Sequence, residues 1–120
     1  MDDRRTYEGS CHCGAVRYEA TMAPPTKANA CNCSICLRSG WLLAFVPSAD
    51  FRLVSGEGEL ADYQFGKKST HHVFCRTCGV RSFSRGKGQD GKDWTAVNLR
   101  CVAGLDPTGL PVETYDGAAR

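Results

Sequence analysis

Apolar and polar positions alternate over short stretches along most of this chain, and turn-forming residues separate the stretches. Val16, Tyr18 and Ala20 alternate with Arg17 and Glu19, the pattern of a strand with one buried face. Trp41 to Val46 is a continuous apolar run stopped by Pro47, which suits a buried strand. Phe51 to Val54, Leu60 to Phe65, Thr70 to Phe74 and Trp94 to Val102 are further predicted strands. The segments Ser55-Gly56-Glu57-Gly58, Gly66-Lys67-Lys68 and Gly86-Lys87-Gly88-Gln89-Asp90-Gly91 punctuate them. Arg85 to Lys92, rich in Gly and Lys, predicts an exposed hairpin loop. No stretch sustains a 3.6-residue period, and the pattern predicts one helical turn, Ser34 to Arg38, ahead of Gly40. Many short strands with regular turns predict a mainly β chain, folded as a sandwich or barrel-like sheet. The expected organisation is a single domain over 1–120, with its core in about 7–104 and a surface tail over 105–120 anchored by Tyr115.

A chain of 120 residues fits one domain with a modest core, so cross-links of any kind would add stability that matters. The formal charge is only +2, with no basic stripe interleaved with aromatics, and this argues against nucleic acid as the partner. No apolar run reaches the length of a membrane span, so no membrane partner is expected. The first residues, Met1-Asp2-Asp3-Arg4-Arg5, lead to no apolar signal region. The expected location is therefore cytoplasmic, where thiols stay reduced. Nothing in the pattern sets an oligomeric state.

Eight cysteines in a reducing compartment need a reason other than disulfides, and no βαβ pattern flanks a C-x-x-C to suggest a thioredoxin-like redox pair. They fall into three groups: Cys11-His12-Cys13, Cys31-Asn32-Cys33-Ser34-Ile35-Cys36, and Cys75-Arg76-Thr77-Cys78-Gly79, with Cys101 alone. In an extended segment, residues i and i+2 face the same way, so each C-x-C can present two thiolates together. In C-x-x-C-G the chain folds back, and Gly79 can take a positive φ that aims backbone N–H groups at the sulfurs. Zinc takes about four ligands, and thiolates suit it. One C-x-C with one C-x-x-C makes a closed four-cysteine site, and the triplet leaves one position open, the division between structural and catalytic zinc. The preferred grouping is Cys11, Cys13, Cys75 and Cys78 for the closed site and Cys31, Cys33 and Cys36 for the open one. Spacing alone also permits Cys11, Cys13, Cys31 and Cys33, which would strand Cys36. Cys101, in Leu99-Arg100-Cys101-Val102, reads as a small buried residue on a strand.

Gly9-x-Cys11-x-Cys13-Gly14-x-Val16, Cys31-x-Cys33-x-x-Cys36 and Phe74-Cys75-x-x-Cys78-Gly79 together resemble the glutathione-dependent formaldehyde-activating enzyme family, which includes centromere protein V. Tyr63 before Phe65-Gly66, Val97-Asn98-Leu99-Arg100-Cys101 and Tyr115-Asp116-Gly117 extend the resemblance over nearly the whole chain. The resemblance implies an Mss4-like zinc-binding β-sheet fold. It implies two Zn²⁺ per chain: a structural zinc on Cys11, Cys13, Cys75 and Cys78, and a catalytic-type zinc on Cys31, Cys33 and Cys36. It implies a carbon–sulfur lyase that joins glutathione and formaldehyde to S-(hydroxymethyl)glutathione. The partners would be a thiol such as glutathione and a small aldehyde. The other reading of the same fold is a non-catalytic, zinc-stabilised binding module. The chain is shorter than the full-length formaldehyde-activating type.

An open zinc position can make a thiolate available at neutral pH or polarise a carbonyl. A triplet holding an anionic thiol also needs a nearby cation, and Arg38, two residues after Cys36, is the candidate by position. His71 and His72 precede Cys75, and either can move a proton. Alternation points His71 to the side of Cys75 and His72 away from it. His12 faces away from its flanking ligands, and Trp41 and Trp94 read as core or pocket wall.

Overall fold

The computed structural model describes residues 3–66, 68, 70–88, 90–116 and 118. Lys67, Gln89 and Gly117, named in the turn and family patterns above, lie outside the described residues, as do Met1, Asp2, Ser69, Ala119 and Arg120.

Ten strands alternate with one short helix: β1 (Arg5–Ser10), β2 (Arg17–Met22), β3 (Ala28–Cys31), α1 (Ser34–Ser39), β4 (Leu43–Pro47), β5 (Phe51–Ser55), β6 (Leu60–Tyr63), β7 (Thr70–Cys75), β8 (Phe83–Lys87), β9 (Asp93–Asn98) and β10 (Val112–Tyr115). They form a three-stranded sheet, β1-β2-β5, and a seven-stranded sheet, β10-β3-β4-β9-β8-β7-β6. All pairings are antiparallel except β10 with β3. The fold is mainly β, a single domain consistent with the Mss4-like zinc-binding sheet.

The core lies between the two sheets. Tyr18 and Ala20 of β2 meet Val46, Val73, Phe83 and Val97 of the larger sheet. Phe83 is fully buried, with its ring centroid 4.7 Å from that of Phe51 and 6.0 Å from that of Tyr18. Offset and edge-on aromatic pairs of this kind each add about 0.5–1.5 kcal/mol beyond the area they bury. The opposite face of the seven-stranded sheet carries a second, smaller apolar cluster of Cys36, Trp41, Leu43 and Ala96.

Each predicted strand is present at least in part; β1, β3, β8 and β10 have no predicted counterpart, and strand ends depart from the alternation. The run from Trp94 to Val102 does not stay extended. β9 stops at Asn98, whose side-chain oxygen accepts the Arg100 N–H, and Leu99–Cys101 turn as a 3-10 helix. Cys101 is therefore half-buried in a turn and not a strand residue. Leu60 to Phe65 stays extended only to Tyr63, and Trp41 precedes β4. Of the predicted Arg85 to Lys92 loop, the first three residues pair in β8. The turn itself closes between Gly88 N–H and Lys92 O at 2.9 Å. β10 lies within the predicted surface tail, and runs beside β3 with Tyr115 opposite Cys31.

Candidate metal centres

Two cysteine clusters can each hold a metal ion: Cys11 with Cys13, Cys75 and Cys78, and Cys31 with Cys33 and Cys36. Within each cluster every sulfur lies within 4.8 Å of the others. All eight cysteines are free thiols.

The first cluster joins the turn after β1 to the turn after β7. Cys11 and Cys13 do not sit in a strand, as the C-x-C spacing suggested. They sit in a tight turn in which the Cys11 N–H donates to Val16 O at 3.0 Å and the Val16 N–H donates to Cys11 Sγ at 3.3 Å. The second loop folds back as C-x-x-C-G predicts. Gly79 has φ +79°, and its N–H donates to Cys75 O at 2.8 Å. Backbone N–H groups of Cys13 and Val80 reach the Cys78 sulfur and lower its pKa to about 6. The first loop thus helps hold a sulfur of the second as an anion.

This donor set fits zinc. Four sulfurs about 2.3 Å from a tetrahedral centre stand about 3.8 Å from one another. Here Cys11 Sγ to Cys13 Sγ and Cys13 Sγ to Cys75 Sγ are both 3.7 Å.

The second cluster sits on the other face of the seven-stranded sheet. Cys31 ends β3, Cys33 is the extended N-cap of α1, and Cys36 lies in the first turn of α1. Here the C-x-C pair is extended, as alternation requires. Gly40, with φ +65°, closes the helix through its N–H to Cys36 O. Trp41 follows and packs in one apolar cluster with Cys36, Leu43 and Ala96, against which Cys31 and Cys33 lie. Burial pushes the Cys36 thiol up to about 12, against the Trp41 indole N–H, which favours the thiolate.

The cation beside this cluster is Arg81. Its guanidinium lies 4.0 Å from the Trp41 ring centroid and interacts with Cys36, Cys33 and Cys31. Nη1 donates to Ser39 Oγ at 3.3 Å, and Ser39 Oγ–H donates to Cys36 O at 3.2 Å. Nη2 lies 2.6 Å from His72 Nδ1. Arginine has no acceptor, so Nδ1 must accept and the His72 ring is neutral with its proton on Nε2. Burial and the Arg81 charge together lower the His72 pKa to about 4, consistent with that tautomer. Arg81 Nε and Trp41 Nε1 are buried without an oxygen or nitrogen partner, and both side chains reach towards the Cys36 sulfur. Two such donors beside three sulfurs suit a cluster of thiolates and their metal. This set also fits zinc, with three protein ligands and one position left open.

A cleft of about 420 Å³ opens on the same sheet face, walled by Phe45, Trp94 and Tyr115. Ala96 lines this cleft and also packs in the cluster of Cys36 and Trp41, so the cleft abuts the triplet.

A sequence profile of the glutathione-dependent formaldehyde-activating enzyme family matches residues 6–114. The chain belongs to that family. A Halomonas elongata protein, described provisionally as a glutathione-dependent formaldehyde-activating enzyme, is 39% identical over 61 residues. That match covers 48% of this chain and 39% of the relative, so the chain aligns with less than half of the relative's length. A crystal structure of a Rhodobacter sphaeroides protein superposes with a TM-score of 0.77 at 34% identity. It covers 88% of this chain and 99% of that one.

For this member of the formaldehyde-activating family, the structure brings together the two cysteine groups as the spacing preferred. It does not bring Arg38 or His71 to the sulfurs. Arg38 is exposed, and its Nη1 donates back to Ser34 O at 3.0 Å. His71 is exposed and pairs with Asp62 at 2.7 Å. His72 is the inward residue: it lies on the face opposite Cys75, and β7 turns that face towards Arg81. Arg81 has no sequence signal of its own: it lies 45 positions from Cys36, and only the β7–β8 connection carries it there.

Proposed function

We propose that this protein is a zinc enzyme of the carbon–sulfur lyase type, joining a thiol such as glutathione to a small aldehyde such as formaldehyde. The observation that carries the reading is the asymmetry of the two clusters. One has four sulfurs and is closed. The other has three, beside the half-buried cation Arg81, on the sheet face that carries the cleft. The closed set, Cys11, Cys13, Cys75 and Cys78, would hold a structural zinc that ties two distant turns together. The open set, Cys31, Cys33 and Cys36, would hold a second zinc. Zinc bound there lowers the pKa of a thiol or polarises a carbonyl.

The chain's own residues supply the rest. Arg81 offsets negative charge at the triplet. Trp41 walls off one side of it and excludes water. The cleft beside Ala96 has room for the body of a substrate. In the reaction the thiolate sulfur attacks the aldehyde carbon and a C–S bond forms. The C=O π pair moves to oxygen, which takes up the proton the thiol released. The product is a hemithioacetal, S-(hydroxymethyl)glutathione when the partners are glutathione and formaldehyde. No oxidant or reductant is consumed. Chemistry that depends on free thiols suits a reducing compartment, and we assign the protein to the cytoplasm on that ground. No described helix is long and apolar enough to cross a membrane.

The test is exchange NMR of formaldehyde and glutathione at neutral pH, with and without the zinc-loaded protein. Line broadening that rises with protein concentration is expected, and Cys36→Ser abolishes it. Exchange at the uncatalysed rate with two zinc ions bound refutes the enzyme reading and leaves a zinc-stabilised binding module.

A further inference from the structure

The charge at the triplet requires more than zinc. Three thiolates with one divalent ion carry −1, and a fourth thiolate would make −2. Burying that charge without a counter-ion is costly. Arg81 is a permanent cation, and its interactions with all three cysteines place it beside the triplet. It is held on three sides: stacked at 4.0 Å on Trp41, tethered to Ser39 Oγ through Nη1, and tethered to His72 Nδ1 through Nη2. His72 is a neutral acceptor and takes up none of this charge. Among the described residues no carboxylate pairs with Arg81. Its positive charge is therefore available to the sulfur site alone. Arg81 Nε and Trp41 Nε1 are buried donors with no oxygen or nitrogen partner, and both side chains turn to the Cys36 sulfur instead. Trp41 itself is only 4% exposed. Buried donors without such partners are rare in native proteins, and these two adjoin the same three sulfurs.

We propose that Arg81 and Trp41 make the triplet selective for an anionic fourth ligand, a thiolate, over a neutral one. Arg81 supplies the counter-charge and the two N–H groups supply hydrogen bonds to the sulfurs. This rests on the function proposed above and names two specificity residues for it. The consequence is thermodynamic: the site binds the deprotonated thiol more tightly, so a bound thiol ionises at lower pH than it would without Arg81.

The test uses the full chain loaded with Co²⁺, whose visible absorption reports its ligands. The probes are 2-mercaptoethanol, whose only charge is on sulfur, and neutral imidazole. Wild-type protein binds 2-mercaptoethanol with a pH midpoint well below that of the free thiol. In Arg81→Gln the midpoint rises by about one pH unit and affinity at pH 7 falls about tenfold, the size of a one-unit pKa change. Imidazole affinity stays within about twofold. Trp41→Phe keeps the ring under the guanidinium and removes only the N–H; it loses a smaller part of the thiolate preference. That variant carries the test if Arg81→Gln does not fold. An unchanged midpoint and affinity in the folded variants overturn this proposal while leaving the function intact. Failure of wild-type, two-metal protein to bind 2-mercaptoethanol at all overturns both.

Discussion

Replacing Gly9 by alanine tests how tightly the path into the closed cluster is packed. Gly9 ends two residues before Cys11, and in the β1–β2 ladder it lies directly opposite Tyr18. The Tyr18 ring covers it. A Cβ at position 9 would collide with Tyr18 Cζ and Oη, and would sit 2.7 Å from Cε1. Gly9 is not among the residues with positive φ, so the collision rather than backbone strain sets the cost. The ring has nowhere to retreat. It is 1% exposed, stacked on Phe51 at 5.1 Å and edge-on to Phe83 at 6.0 Å. Overpacking a filled core costs about 1–3 kcal/mol, and a ring fixed between two others puts this case near 3. At about 4 °C per kcal/mol for a domain of this size, the melting temperature falls by roughly 12 °C. The assay is thermal unfolding of the zinc-loaded protein followed by circular dichroism. A second variant, Tyr18→Leu, removes the obstacle. In the double variant Gly9→Ala costs about 1 kcal/mol or less, because contacting residues are not additive. A melting temperature within 2 °C of wild type, or strict additivity of the two changes, refutes the packing argument.

Three further outcomes are expected. Phe83→Ala removes the fully buried ring that contacts both Tyr18 and Phe51 and costs about 3–5 kcal/mol, measured by urea unfolding; a loss under 1 kcal/mol contradicts its place in the core. Cys75→Ser opens the closed cluster, so native mass spectrometry finds one zinc fewer and the protein is unfolded or nearly so at 37 °C; full stability with one zinc would mean that the closed site is not structural. The folded His72 pKa of about 4 lies below its unfolded value near 6.5, so the unfolded chain binds more protons between those limits. This group therefore costs no stability above pH 6.5 and withdraws it as pH falls towards 4. Arg81 and His71 depress that pKa and Asp62 raises it. An NMR titration of His72 with a midpoint above 6 would refute the neutral, Arg81-bound ring.

How much of this was legible depended on the range of the physics involved. The cysteine spacings declared the triplet and the two halves of the closed cluster, because those ligands are sequence neighbours. The joining of Cys11 and Cys13 to Cys75 and Cys78 was one grouping of two that spacing allowed. Gly79 declared its turn through the φ that only glycine adopts cheaply. Alternation exposed β2 and β7, each with one face on the core. It failed for β1, β3, β8 and β10: β1 and β10 are mostly exposed, β3 has four residues, and β8 has one large apolar residue, Phe83, ahead of Ser-Arg-Gly-Lys. β9 is buried on both faces between β4 and β8, so its pattern is unbroken and its end at Asn98 was invisible. Arg38 was the obvious cation by position, yet α1 aims it outward. Arg81 won because strand pairing and not sequence proximity decides what reaches the triplet.

The pairing of β10 with β3 gives the open cluster a birth order. The Asn32 N–H donates to Tyr115 O at 3.1 Å and its amide to Asp116 Oδ1 at 3.0 Å, across 84 positions of chain. The strand that presents Cys31 pairs with β4 on one side, and its other side is covered only after the segment around residue 115 has emerged from the ribosome and docked. The closed cluster's ligands and the backbone donors around them end at Val80, so it can load while synthesis continues. A nascent chain would thus acquire its reactive site last, on a scaffold already fastened at the other cluster. Half-made protein would be stabilised before its open cluster was complete.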